Sequence, residues 1–187
     1  SGAEPAPACR PIPEINYTSY GWLRLLGRTL SALADTLSLL TLLAIGLRLF
    51  SRRIALLGTA LSALAVMQIQ QSHFMTVDNF AVLFSTLSIY CAVRAAQKGG
   101  ARWYALFGTF YAMTLASKIN LAPLGVMIAL AVWMGHRELW KQRDLTPWKR
   151  FGPAVLQMAL AVAVTLVVFR VTQPMSIRAA TGDTGFF

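Results

Sequence analysis

The densest run of side chains able to do chemistry is Gln68-Ile69-Gln70-Gln71-Ser72-His73-Phe74-Met75-Thr76-Val77-Asp78-Asn79-Phe80, set between two apolar stretches. A hairpin between helices needs far fewer hydrogen-bonding groups than this. One reading is local: Thr76 suits a helix N-cap, with Asn79 three residues on as a weak version of the capping pattern. Capping does not account for His73 and Asp78 together with Gln68, Gln70 and Gln71, so the second reading is a polar site. Lys118 stands alone in another short turn, where it is either a snorkelling lysine or a point-charge contact to a phosphate. Arg24 and Arg28 share a helical face, and Arg28 shares one with Asp35 two turns on. Either the two arginines sit at headgroup level with Asp35 paired inside, or Arg28 contacts an anionic ligand. Arg170 ends the last apolar run.

Other chemistries are not suggested. Cys9 and Cys91 are far apart in sequence and environment, and no CxxC or Cys/His cluster occurs. His73 and His136 fall on opposite expected faces. Gly99-Gly100 is a turn in a basic loop rather than a phosphate cradle, and no Ser/His/Asp set has a nucleophile's context. We therefore expect no metal and no cofactor, and the residues leave the catalytic group unassigned.

The elements that must position these groups follow from composition. The 187 residues are 56% hydrophobic and only 13% charged, with a net charge of +10. A soluble domain carries about 25% charged residues, and a disordered chain needs low hydrophobicity. Basic residues interleaved with long apolar runs do not suit nucleic acid. The composition is that of an all-α, polytopic transmembrane bundle.

About six apolar runs are expected to span: Leu25–Leu47, Ile54–Ile69, Phe74–Val93, Trp103–Ala116, Ile119–Trp133 and Phe151–Phe169. Residues 1–20 read as an extracytoplasmic segment, 21–169 as the bundle, and 170–187 as an extracytoplasmic loop or tail. Tyr17, Tyr20 and Trp22 suit an outer aromatic belt, and Trp133, Trp140 and Trp148 an inner one. The basic residues sort by loop. Arg48, Arg52 and Arg53 follow the first run; Arg94, Lys98 and Arg102 follow the third; Arg137, Lys141, Arg143, Lys149 and Arg150 follow the fifth. These loops are expected to be cytoplasmic, with both termini outside. Arg28, Gln71, His73, Asp78, Lys118 and Arg170 then map to the outer side, where a basic cavity suits an anionic lipid headgroup such as a polyprenyl phosphate. The runs around Lys118 are short, and two helices meeting at Ser117-Lys118-Ile119-Asn120 are preferred over one bent span. The latter would put two basic loops on opposite sides. Pro123 suits the first turn of the second helix.

Several segments together resemble a known superfamily: Gly27-Arg28-Thr29-Leu30-Ser31-Ala32-Leu33, Arg48-Leu49-Phe50-Ser51-Arg52-Arg53, Gln71-Ser72-His73-Phe74-Met75-Thr76-Val77-Asp78 and Ala116-Ser117-Lys118. In this order and spacing they resemble GT-C glycosyltransferases. The likeness is to bacterial phospholipid-carrier-dependent enzymes related to protein mannosyltransferases and aminoarabinose transferases, over roughly residues 20–135. The resemblance implies a sugar transferase of the bacterial cytoplasmic membrane, drawing on a polyprenyl-phosphate donor at the outer face. It implies Lys118 and Arg28 at the donor phosphate, with His73, Asp78, Gln71 and Arg170 shaping the outer cavity. The family's base is an acidic residue in its first outer loop; Glu4 and Glu14 lie in the corresponding stretch without that context. The resemblance makes Leu25–Leu47 the family's second helix, so the chain is expected to be a fragment. The alternative is a non-catalytic subunit of a larger membrane complex, with partner membrane subunits. A transporter would need ionisable groups near the midplane, and Asp35 is the one candidate.

Overall fold

The computed structural model describes residues 17–66, 70, 76–141 and 146–173. Gln71 and His73, the end of the second apolar run, the start of the third, and the terminal segments lie outside the described residues. Among those described, the chain forms α1 (Tyr17–Leu49), α2 (Arg52–Ala63), α3 (Val77–Lys98), α4 (Ala101–Ser117), a 3-10 turn (Ile119–Gly125), α5 (Val126–Lys141) and α6 (Pro147–Thr172), and no strand. Apolar runs in lipid must satisfy every backbone group internally, and helices do this within one segment.

Among the described residues, four stretches are long and apolar enough to cross a membrane: Leu25–Leu49, Val77–Lys98, Ile119–Glu138 and Phe151–Thr172. Two of the six expected spans are represented among the described residues by shorter helices. The described part of the second is α2, whose 12 residues reach ~18 Å against a hydrocarbon core of ~30 Å. The other is α4, whose 17 residues reach ~25 Å.

Small residues build the helix contacts. Gly27, Ser31, Ala34 and Ser38 form a buried stripe on α1, and α3 buries Ala81, Ser88, Ala92 and Ala95. Between apolar helices in lipid no hydrophobic gain drives association, so close backbone approach and van der Waals contact must supply it. On this stripe Ser38 Oγ donates back to Ala34 O of its own helix at 2.8 Å. At Gly46 the approach to α2 is closer still, since a Cβ there would lie 2.9 Å from Ala55 Cβ.

α3 turns back into α4 through Gly99 and Gly100, at φ +65° and +91°. L side chains rarely adopt that region, so this pair closes the hairpin where other residues would be strained. Arg94 belongs to the last turns of α3 rather than to the loop expected there, and it is buried. Its Cζ lies 4.7 Å from the Trp103 ring centroid, and Nε and Nη1 have no hydrogen-bond partner among the described residues. The indole face supplies the compensating interaction.

α4 and α6 run in the same direction in a fixed register. Thr165 Oγ1 donates within its own helix to Ala161 O at 2.8 Å and shares that proton with Gly108 O at 3.3 Å, and Gln173 Nε2 donates to Ala116 O at 3.1 Å; both inter-helix pairs are 57 residues apart in sequence. Gly108 is the point of closest approach, because a Cβ there would lie 2.6 Å from Ala161 O. Tyr104, Phe107, Ile128, Val132, Ala154 and Ala161 form the core between α4, α5 and α6.

The bundle thus has two poles. Gln97 Nε2 donates to Arg48 O at 3.4 Å, and Gly135 of α5 packs on Ala95 and Ala96 of α3. These contacts gather the ends of the three basic loops at one pole. Tyr17 and Gln173, the outermost described helix ends, belong to the opposite pole. Ser117–Asn120 lies there too, joining α4 to the 3-10 turn as two antiparallel elements. Pro123 sits in the 3-10 stretch rather than in an α-helical first turn. Tyr111 Oη fastens that stretch by donating to Ala122 O at 2.6 Å.

Candidate functional site

The pole away from the basic loops carries the groups singled out by their chemistry. α4 stops at Lys118, whose backbone is extended (φ −154°, ψ 103°) and whose N–H still bonds Thr114 O at 2.8 Å. Leaving the helix there frees the side chain to reach across to α3. Its ammonium meets Asp78, with Nζ 2.7 Å from Oδ1. Asp78 lies in the first turn of α3, where a carboxylate also favours the positive end of the helix dipole. The side chains of Lys118 and Asp78 are 48% and 32% exposed, so this pair is a half-open surface feature. Such pairs contribute about 0–1 kcal/mol to stability. An ammonium has three donors, and Asp78 Oδ1 engages one of them.

Thr76 occupies the N-cap position of α3 with extended backbone (φ −111°, ψ 147°), as the capping reading expects. Its hydroxyl makes no cap bond and is buried without a partner among the described residues. The capping box therefore does not form. Asn79 is buried beside Asp78. On α6, Arg170 is exposed one turn before Gln173, which ties that end of α6 to α4.

Arg28 lies at a comparable height. Its Cα is ~30 Å along α1 from Arg48, and Asp78 is ~28 Å along α3 from Gln97, with Arg48 and Gln97 in contact. Arg28 is exposed on α1, whose main packing partners are α3 and α2. The structure therefore joins Lys118 with Asp78 and puts Arg170 and Arg28 at the same pole, on opposite flanks of the α3–α4 pair. The four do not form one contact cluster. Gln71 and His73 lie outside the described residues.

Sequence reasoning missed Thr76 as a buried free hydroxyl, Asn79 as a core residue, and Gln173 as the clasp on Ala116. Gln173 fell within a stretch read as loop, although Thr172 and Gln173 continue the helical phase of the preceding apolar run. Among the described residues, no group of three or more His, Cys, Asp or Glu could hold a metal ion. Cys91 is a buried free thiol.

A sequence profile of the dolichyl-phosphate-mannose-protein mannosyltransferase family matches residues 24–169, most of the chain. The chain belongs to that family. With its long apolar helices it is an integral membrane protein of the GT-C glycosyltransferase type. No curated protein and no solved structure matches it. The family match runs from Arg24 to Phe169 and so includes Arg28, Asp78 and Lys118.

Proposed function

We propose that the protein acts in the transfer of a sugar from a polyprenyl-phosphate-linked donor at the outer face of a bacterial cytoplasmic membrane. The single observation that carries this reading is the Lys118–Asp78 pair, 2.7 Å apart and half-open, at the pole opposite the basic loops. Lys118 is the phosphate contact. Asp78 holds the ammonium in place, and two of its three N–H donors remain for a ligand.

In an inverting transfer the acceptor oxygen attacks the anomeric carbon, and the bond from that carbon to the phosphate oxygen breaks. The electron pair leaves with the lipid phosphate, and the acceptor proton passes to a base. Negative charge grows on the phosphate oxygens as the bond lengthens. A cation fixed beside them in a low-dielectric setting lowers the barrier, because it needs no reorganisation at that moment. Arg28 and Arg170 add to the positive potential of that pole and favour capture of an anionic donor headgroup. The base is the acidic group that the family carries in its first outer loop.

The test is Lys118→Ala, assayed in the full-length protein in membrane vesicles with polyprenyl-phosphate-linked sugar. Transfer is expected to fall by at least tenfold while membrane insertion and expression stay unchanged. Undiminished transfer would refute the role of Lys118.

A further inference from the structure

A slot of about 390 Å³ opens between α1, α3 and α5. Its composition changes along its length. Met127, Leu130 and Met134 of α5 and Ala92 and Ala96 of α3 make the deep part apolar. Gln97 and Arg137 supply polar groups at one end, beside Leu49. From Met127 to Arg137 the slot follows ~15 Å of helix, about half of a ~30 Å hydrocarbon core. The slot is thus one leaflet deep, apolar toward the midplane and cationic at the membrane surface.

The mouth lies at the basic pole. Gln97 is tied to Arg48 O, and Arg48, Arg52 and Arg53 are exposed around the adjoining turn. The Arg137 side chain is 63% exposed, and its Nε lies 3.4 Å from Oε1 of the neighbouring Glu138, whose side chain is 68% exposed. A pair so open to solvent is weak, and a guanidinium has five donors. Alanines on the α3 wall leave width for a chain, and methionines on the α5 wall adapt to an irregular hydrocarbon surface.

We infer that this slot binds one anionic phospholipid of the leaflet at the basic pole. One acyl chain lies along Met127, Leu130 and Met134, and the phosphate sits against Arg137. Charge complementarity and the one-leaflet depth together select a lipid over a soluble anion or a partner helix. The site is separate from Lys118 and does not depend on the transfer reaction.

The test is thermal unfolding of the whole chain in neutral detergent, titrated with phosphatidylglycerol, phosphatidylcholine of the same acyl chains, or inorganic phosphate. Phosphatidylglycerol is expected to stabilise at lower concentration than phosphatidylcholine, with one lipid retained per chain by native mass spectrometry. Arg137→Gln should reduce that preference about fivefold, the factor associated with one basic residue at an anionic surface. Met134→Trp, which fills the slot, should weaken both lipids, while Lys98→Gln, at the same pole but outside the slot, should preserve the preference. Three results would overturn the site: Lys98→Gln matching Arg137→Gln, Met134→Trp leaving both lipids unaffected, or phosphate alone stabilising as much as phosphatidylglycerol.

Discussion

Replacing Gly108 with alanine sets two known effects against each other. Alanine is favoured over glycine within a helix by about 1 kcal/mol. Against that, the new Cβ would lie 2.6 Å from Ala161 O, 3.1 Å from Val164 Cβ and 3.2 Å from Thr165 Oγ1. The nearest of these is backbone and cannot rotate away, so α4 and α6 must separate. Overpacking of a tight contact costs about 1–3 kcal/mol. Separation also lengthens the 3.3 Å contact of Thr165 Oγ1 with Gly108 O, which contributes less than a full hydrogen bond because its one proton is shared with Ala161 O at 2.8 Å. The 2.6 Å approach to backbone puts the overpacking cost at the upper end of its range, so net of the helix gain Gly108→Ala should destabilise by about 1–2 kcal/mol. Gly58 is the control, because a Cβ there meets nothing within 4 Å; Gly58→Ala should stabilise by up to about 1 kcal/mol. Denaturation of both variants in mixed micelles, followed by circular dichroism, should move the midpoint in opposite directions. Equal stability of Gly108→Ala and the parent would mean that the α4–α6 approach is not as close as described. The effect reaches the Lys118 pole, since Gln173 clasps Ala116 in the same helix register.

Asp78→Asn keeps the shape of the side chain but removes its charge, so it should leave stability within about 1 kcal/mol while raising the KM for the lipid-linked donor more than it lowers kcat. A matched rise in unfolding susceptibility would instead mark Asp78 as purely structural. Gly100→Ala, at φ +91°, should cost about 1–2 kcal/mol from backbone strain, although a Cβ there meets no atom within 4 Å. A neutral result in the same denaturation assay would show that the turn relaxes. Cys91 is 2% exposed, and a membrane-permeant maleimide should label it only after denaturation; rapid labelling of the native protein would contradict the packing of α3.

The fold was legible to different depths in different places. The apolar runs and the sorting of basic residues marked where helices lie and which loops share a pole, because lipid demands internally bonded segments and basic loops resist translocation. The break at Ser117–Asn120 was also readable, since a lysine and an asparagine interrupt two short apolar runs. Other features were not. Arg94 read as a loop residue, yet it lies buried against Trp103, because an indole face can replace polar partners. Thr76 read as a capping residue and takes the cap position, but its hydroxyl makes no bond to the helix N–H groups. α2 belongs to the apolar run Ile54–Ile69, which was expected to span, and its described helix ends at Ala63.

The amino-acid sequence by itself determined the class of protein, the direction in which each helix runs, and the pole at which Lys118, Asp78, Arg28 and Arg170 lie. These depend on local hydropathy and charge, which act residue by residue. Tertiary structure decided which of those groups meet. Lys118 finds Asp78, 40 residues away, because α3 and α4 fold back through two glycines with matching reach. Arg28 stays apart because α1 packs against the other side of α3. The close approach at Gly108 and the slot between α1, α3 and α5 were likewise set by helix register and spacing. Both are properties of surfaces brought together from distant parts of the chain, and no local pattern specifies them.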